Sequence, residues 1–302
     1  MSLAGKDLRG RDFAGASLAG ADLGGVDLRG VDLRGATFSG ANLVGAYLGM
    51  AQLDDAVFAG ANLTGADLAR VSARSADFTG ANLTGVRCRK GNFTGGTFSE
   101  ATLTGADVSD AKFVEARLRG AKLDRIRTLE AHFTRADLSG ASLRHADLAG
   151  AYFDRATLVG ADLTDANMTV TVCTDADLSG ATLRFATLAN TRLTDATLDG
   201  VVFELATFVR ADLGGASGSD VAFSSATLRH TKLDRVRFQT PDFTGAILRS
   251  CSASTADFAG ARFTDAVLVD CRFSDSSFDG ATFEGAVRSR LDFERCTGPI
   301  AG

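Results

Sequence analysis

Histidine is the first side chain to consider for chemistry, because at neutral pH it can bind a metal ion or accept a proton. The chain contains three histidines, His132, His145 and His230. Their offsets in the coil described below place them on different faces. The sequence therefore predicts neither a metal site nor a pair of general base and nucleophile.

Carboxylates are numerous, but their placement does not indicate catalysis. Asp and Glu total 37, and about half of the Asp residues stand directly before a Leu or Phe, where the repeat places them toward solvent. Glycine recurs next to Ala, where a tight turn explains it, and no G-x-x-x-x-G-K-[ST] string is present. We therefore expect no enzyme, no metal and no cofactor.

The five cysteines occupy positions where a small buried hydrophobic residue is expected. They are Cys88, Cys173, Cys251, Cys271 and Cys296. This usage fits a reducing, cytoplasmic environment. Cys251 and Cys271 are four pentapeptides apart and would lie close together if four pentapeptides form one coil, so a disulfide is an alternative; two stacked free thiols are the favoured interpretation.

A frame of five residues runs from Leu3 to Phe293 without insertion or deletion. It contains 59 positions, of which 50 are Leu or Phe, and Phe185 is the one phenylalanine outside it. The residue two places earlier is usually Ala, as in Ala21-Asp22-Leu23, Ala61-Asn62-Leu63 and Ala161-Asp162-Leu163. A period of five fits neither a helix nor a two-faced strand, so it indicates a short unit copied many times, a solenoid.

These motifs resemble the pentapeptide-repeat proteins over essentially the whole chain. The resemblance implies an all-β fold, a right-handed quadrilateral parallel β-helix in which four pentapeptides form one coil and the central Leu or Phe points inward. Residues 1–302 are then predicted to form a single solenoid domain of about 15 coils, with repeats from Leu3 to Phe293 and a short C-terminal tail. At about 4.8 Å per coil its length would be about 70 Å.

Residues four pentapeptides apart support a coil of this size, because the same residue type recurs at that interval. One column has Leu from Leu3 to Leu183 and then Phe from Phe203 to Phe283. Three departures stand out: Arg288 and Gly218 occupy central positions, as does Thr128. We expect Gly218 and Thr128 to mark a void, a bend or a bulge. Charges at the ends, including Lys6 and Arg11, oppose end-to-end pairing of strands.

Composition excludes several partners. Lys and Arg total 32, which gives a net charge of −5 and no basic stripe of the kind that binds nucleic acid. Apolar runs are only a few residues long, so we expect no membrane segment, no export signal and a cytoplasmic protein.

The resemblance also implies a function. Characterised members include bacterial proteins that mimic duplex DNA, bind DNA gyrase or topoisomerase IV, and protect these enzymes from quinolones or peptide poisons. A duplex 70 Å long carries about 40 negative charges, so mimicry by this chain must depend on a local acidic strip, for which Asp7, Asp27 and Asp67 are the candidates. The chain departs from gyrase-protecting members in its length and in lacking an obvious C-terminal dimerisation helix.

A scaffold or protein-interaction solenoid with no topoisomerase role is the alternative. Ice binding by a flat threonine array is a weaker one, since Thr187, Thr207 and Thr227 are few and lie beside Arg229.

An apolar ridge is predicted near the C-terminus. Ile247, Val267 and Val287 follow one another at intervals of four pentapeptides, at an outward position that is polar elsewhere, and Val269 lies on the same face. A contiguous apolar ridge often marks a contact. We expect either a two-fold dimer or partner interface there, or packing of the tail, residues 292–302, over the ridge.

Overall fold

The computed structural model describes residues 2–300, and residues 301 and 302 of the predicted tail lie outside this range. The chain divides into two compact units, Met1–Tyr152 and Phe153–Gly302. The prediction of one domain over residues 1–302 stays a prediction. Each unit is built from the same coil.

In the first unit, each pentapeptide pairs in parallel with the fourth pentapeptide after it. Asn42 pairs with Asn62, and Asn62 with Asn82. The Leu43 amide donates to Asn62 O at 2.7 Å, and the Asn62 amide donates to Ala41 O at 2.9 Å. Four pentapeptides therefore close one turn, and each side of the coil belongs to one of four faces. Faces 1 to 4 are defined here by the pentapeptides centred on Leu3, Leu8, Phe13 and Leu18 and by every fourth pentapeptide after each of them.

The corners between faces explain why each side is short. Every fifth residue as far as Arg295 has a left-handed backbone, such as Gly60 (φ 63°) and Arg70 (φ 58°). The Ala61 amide then donates back to Phe58 O at 2.9 Å, which closes the corner. A left-handed residue interrupts the extended chain, and glycine adopts this conformation at the lowest cost. In the first unit, each side is joined to the equivalent side of the next coil by a single bridging residue.

Regular strands occur in the second unit. Face 2 carries β1 Thr187–Ala189, β2 Thr207–Val209, β4 Thr227–Arg229, β6 Ile247–Arg249, β8 Val267–Val269 and β10 Val287–Ser289, which form one parallel sheet in this order. Face 3 carries β7 Ser252–Ser254, β9 Arg272–Ser274 and β11 Asp292–Glu294, and face 4 carries β3 Ser217–Ser219 and β5 Arg237–Gln239. β-branched Thr, Ile and Val at the first position of the face 2 strands favour this extended backbone. Turns that contain regular strands number about five, fewer than the 15 coils predicted. The other sides of the solenoid are joined by single bridges and are not counted as strands.

The core confirms the predicted all-β parallel solenoid. Except in the coils at the two ends, the central Leu and Phe side chains and the small residues two places before them are buried. Phenylalanines of one column stack in parallel, with the Phe38 and Phe58 ring centroids 4.7 Å apart and the planes 3° from parallel. Phe185, outside the frame, is 49% exposed. The inward position of the frame is therefore as predicted.

The two departures inside the frame are accommodated without an empty site. Thr128 is buried, and its hydroxyl donates to Asp147 O at 3.2 Å. At Gly218 the main chain lies close to the preceding coil, since a Cβ atom added there would lie 2.7 Å from the carbonyl carbon of Leu198. A larger residue would therefore clash with the backbone at this position.

At some corners of the second unit, a polar side chain two places before the central residue points inward and forms hydrogen bonds with the main chain. The Ala256 amide donates to Ser276 Oγ at 3.1 Å, and this hydroxyl donates to Ser274 O at 3.0 Å, with Ala253 O at 3.4 Å. Cys271 Sγ lies 3.5 Å from Leu248 O in the equivalent position. A hydroxyl or thiol from the next coil thus takes the place of the corner hydrogen bond that Ala61 and Phe58 make directly.

Candidate partner-binding surfaces

The predicted acidic strip lies on face 2 of the first unit and is interrupted. A parallel β-bridge joins the backbones of Asp7 and Asp27, but Tyr47 lies between Asp27 and Asp67 on this face. Arg9 Nη2 is 2.7 Å from Asp7 Oδ2. The hydrogen bond from the Arg9 side chain lowers the pKa of Asp7 to about 2. Asp7 is therefore ionised at neutral pH, with its charge balanced locally.

The other two aspartates of the strip also have arginine partners. Arg29 Nη2 is 2.6 Å from Asp27 Oδ2, and Arg87 Nη2 is 3.4 Å from Asp67 Oδ2. The side-chain hydrogen bond from Arg29 lowers the pKa of Asp27. The strip remains a prediction as a binding site, and its geometry is that of paired charges.

Asp107 lies on the same face of the first unit as Asp7, Asp27 and Asp67, and it is the most buried of the four, with 3% exposure. Its carboxylate receives Arg89 Nε at 2.6 Å, Arg127 Nη2 at 3.0 Å and Ser109 Oγ at 2.7 Å. Burial opposes ionisation here, but the hydrogen bonds from Ser109 and Arg89 outweigh it and lower the pKa of Asp107. This arrangement stabilises the coil and leaves no carboxylate oxygen for a ligand.

A larger group of carboxylates lies on two adjoining faces of the second unit. Faces 1 and 4 there carry eleven acidic residues against three arginines. The acidic residues are Asp162, Asp165, Glu204, Asp242, Asp265 and Glu284 on face 1, and Asp177, Asp199, Asp220, Asp257 and Asp279 on face 4. All are at least partly exposed. The arginines are Arg184, Arg262 and Arg237, of which Arg184 pairs with Glu204 and Arg262 with Asp242.

Sequence reasoning did not find this group, because the acidic residues occupy different positions of the pentapeptide. Asp177 and Asp257 precede the central residue, Asp199 and Asp279 follow it, and Asp220 stands at the corner. Counting charge by face, with the period of four pentapeptides, would have revealed it.

Face 2 of the second unit has the opposite sign. It carries Arg210, Arg229, Arg249, Arg288 and Arg290, with Asp270 as its one carboxylate, and Arg290 pairs with Asp270. Arg229 and Arg249 are neighbours in register in the sheet. The second unit thus separates its charges between faces.

The predicted apolar ridge lies on the same face. Val267 is in register with both Ile247 and Val287, and Val269 is in register with Arg249. Val287 is 57% exposed. Within the described part of the tail, residues 292–300, Asp292–Glu294 lies on face 3 and Thr297 pairs with Ser277 on face 4. The Ile300 carbonyl accepts a hydrogen bond from Arg288 Nη1 on face 2 at 3.3 Å. The role of the ridge as an interface stays a prediction.

The potential chemical groups remain apart. His132 stacks on Tyr152 with ring centroids 4.7 Å apart. Within residues 2–300, no group of three His, Cys, Asp or Glu is placed to hold a metal ion. All five cysteines are free, and burial raises the pKa of Cys88 and Cys173, so these thiols stay protonated.

No helix in residues 2–300 is long and apolar enough to cross a membrane.

Solved structures similar to this chain include pentapeptide-repeat proteins. QnrB1, a plasmid-mediated fluoroquinolone resistance protein, is 21% identical over 58% of this chain and 92% of its own, with a TM-score of 0.47. HetL, a pentapeptide-repeat protein involved in heterocyst differentiation regulation in the cyanobacterium Nostoc, is 23% identical over 74% of this chain and 87% of its own, with a TM-score of 0.24. No curated protein matches the chain.

The model of the family described as pentapeptide repeats matches most of the chain. The matched residues are 12–49, 51–87, 81–120, 131–169, 176–215, 203–239, 222–258, 242–275 and 256–287. These ranges coincide with the frame of buried Leu and Phe and with the parallel coils described above. The chain therefore belongs to the pentapeptide-repeat family.

Proposed function

We propose that this chain is a non-catalytic cytoplasmic protein that binds a type II topoisomerase, DNA gyrase or topoisomerase IV, in the manner of a DNA mimic, and modulates it or protects it from poisons. Membership of the family supports this proposal, since the resemblance drawn from the sequence implies such a partner. The observation that carries it is the acidic excess on faces 1 and 4 of the second unit.

The density of this charge is comparable to that of DNA. Faces 1 and 4 of the second unit share seven successive coils, a length of about 34 Å at the spacing of paired strands. A duplex of that length carries about 20 phosphates on both strands together. Eleven carboxylates on two adjoining faces approach the number that one side of the duplex presents. The net charge of −5 hides this because face 2 of the second unit carries an excess of arginine over carboxylate.

The binding experiment compares the two acidic surfaces. In one variant the exposed residues Asp265, Asp279 and Glu284 are replaced by Asn, Asn and Gln. Among residues 2–300 none of the three forms an ion pair with an arginine, so the substitutions break no salt bridge. In the matched variant the predicted strip is neutralised by Asp7→Asn, Asp27→Asn and Asp67→Asn.

We expect the first variant to bind immobilised gyrase at least tenfold more weakly than the wild type, and added duplex DNA to compete with the wild-type protein. A loss confined to the second variant would assign the contact to the strip on face 2 of the first unit. Equal binding by both variants and the wild type would contradict mimicry by charge.

A scaffold role without a topoisomerase is the second candidate, and face 2 of the second unit favours it. Its arginines and apolar ridge are unlike a DNA surface and suit a different protein partner.

A further inference from the structure

We infer that face 2 of the second unit binds a protein segment that carries carboxylates beside aliphatic side chains. This surface is defined by Arg210, Arg229, Arg249, Ile247 and Val267, with Val269 and Val287 at its C-terminal side. The inference does not rest on the proposed topoisomerase function, because it concerns a different face with the opposite charge.

The arginines at its centre form no ion pairs within residues 2–300. Arg229 and Arg249 are exposed and neighbours in register, and Arg210 is exposed at the preceding corner. Among residues 2–300, none of the three has a carboxylate within ion-pair distance. Asp270 interacts with Arg249 through their charges, but its ion pair is with Arg290. On the same face of the first unit, Asp7, Asp27, Asp67 and Asp107 each pair with arginine. Face 2 of the second unit also carries arginines, but Asp270 is its one carboxylate.

This arrangement works against folding and is resolved by a bound anion. Like charges directly opposite each other on adjacent strands are destabilising. The neighbouring outward side chains of β2 and β4, namely Thr207, Val209 and Thr227, carry no charge. A carboxylate placed between Arg229 and Arg249 would accept charge-assisted hydrogen bonds from both.

The apolar ridge indicates a protein ligand rather than a nucleic acid. Ile247 pairs with Thr227 on one side and with Val267 on the other, so the aliphatic residues continue directly from the arginine pair. A phosphate backbone has no aliphatic groups to cover these side chains. The acidic faces 1 and 4 of the same unit would also repel a long polyanion that extends past face 2.

A second copy of the chain fits this surface less well. A face-to-face dimer across the ridge would bring the unpaired arginines of both copies to one interface, with Asp270 as the only carboxylate of each face and already paired with Arg290. Buried like charges oppose association. An acidic segment satisfies the arginines and covers the ridge at once.

The test uses three labelled probes at physiological salt: a short peptide of four glutamate-glutamate-leucine repeats, the same peptide with serine in place of leucine, and a duplex DNA of similar length. We expect saturable binding of the leucine peptide, weaker binding of the serine peptide, and the weakest binding of the duplex. Arg229→Ala with Arg249→Ala should weaken the leucine peptide at least tenfold, and Val267→Ser should weaken it without affecting the serine peptide. Arg184→Ala, on face 1, should leave binding unchanged.

Absence of binding by the leucine peptide would overturn the inference, as would equal affinity of the wild type and the double arginine variant. Tighter binding of the duplex would assign the face to nucleic acid. Sedimentation of the wild type as a dimer that Ile247→Asp with Val267→Asp disperses would assign it to a second copy. A melting midpoint of the arginine variant that is no lower than that of the wild type establishes that its loss is one of binding.

Discussion

At the scale of residues, stability depends on the position in the five-residue frame more than on side-chain size. Phe133 is 1% exposed and its ring centroid lies 5.1 Å from that of Phe113, whereas Phe185 is about half exposed beside Arg184. Two phenylalanines of one chain therefore form a matched pair, one inside the frame and one outside it.

Phe133→Ala should lower the free energy of unfolding by about 3 to 5 kcal/mol, because it removes a large buried side chain from a packed column. Phe185→Ala should cost less than about 1 kcal/mol, since it loses an exposed contact with Arg184. Denaturant titrations measure both values. Equal losses at the two positions would contradict the inward assignment of the frame.

Asp107 should make stability depend on pH in the acid range. Its pKa is lowered in the folded protein, so its contribution is present above the unfolded pKa of about 3.9 and is lost as the pH falls through the lower folded value. Asp107→Asn should lower the free energy of unfolding at pH 7 by about 1.5 kcal/mol, as expected for hydrogen bonds to a charged group.

The difference between the wild type and Asp107→Asn should shrink as the pH falls below about 4. Asp7→Asn, which changes an exposed ion pair, is the control and should have no measurable effect. A constant difference from neutral to acid pH would show that the Asp107 charge contributes nothing.

At the scale of elements, the corner decides whether a side of the coil is a single bridge or a strand. Most corners are closed by a main-chain hydrogen bond, as between Ala61 and Phe58. At the corner after β7, the Ser276 hydroxyl of the next coil receives the Ala256 amide instead. The same role at Cys271 gives this buried thiol a hydrogen-bonding function beyond filling space.

Ser276→Ala should therefore lower the free energy of unfolding by about 1 to 3 kcal/mol, because the Ala256 amide is left without a partner. Ser276→Cys should retain most of the stability, since cysteine fills the equivalent position in neighbouring coils. Ser277→Ala, at an outward position, serves as the control in the same thermal melts. A Cys variant as unstable as the Ala variant would contradict the corner role.

The period of five and the resemblance were sufficient to predict the parallel coil and the buried positions, because burial repeats with the sequence. The sheet on face 2 was not predicted, since the choice between bridge and strand depends on corner hydrogen bonds between residues of successive coils. The close approach of the main chain at Gly218 to Leu198 was not predicted either, because the sequence shows only that a side chain is missing. The ridge at Ile247 and Val267 was found because its residues share one position of the repeat.

At the scale of the whole molecule, the distribution of charge matters more than its sum. A net charge of −5 is far below that of DNA, yet in the second unit faces 1 and 4 carry an excess of acid and face 2 an excess of base. The sum over the whole chain mixes the faces and conceals this separation. Two surfaces with different partners, one resembling a polyanion and one suited to acidic protein, are compatible on such a fold.

DNA supercoiling by purified gyrase tests the central claim most directly. The protein is titrated into the reaction with and without a quinolone, and the reaction is repeated with topoisomerase IV as the enzyme and decatenation as the readout. The account predicts that the wild type inhibits the reaction or restores it in the presence of the quinolone, and that the variant with Asp265→Asn, Asp279→Asn and Glu284→Gln loses this effect. Unchanged activity of both enzymes at a large molar excess of the protein, with and without the quinolone, would contradict it.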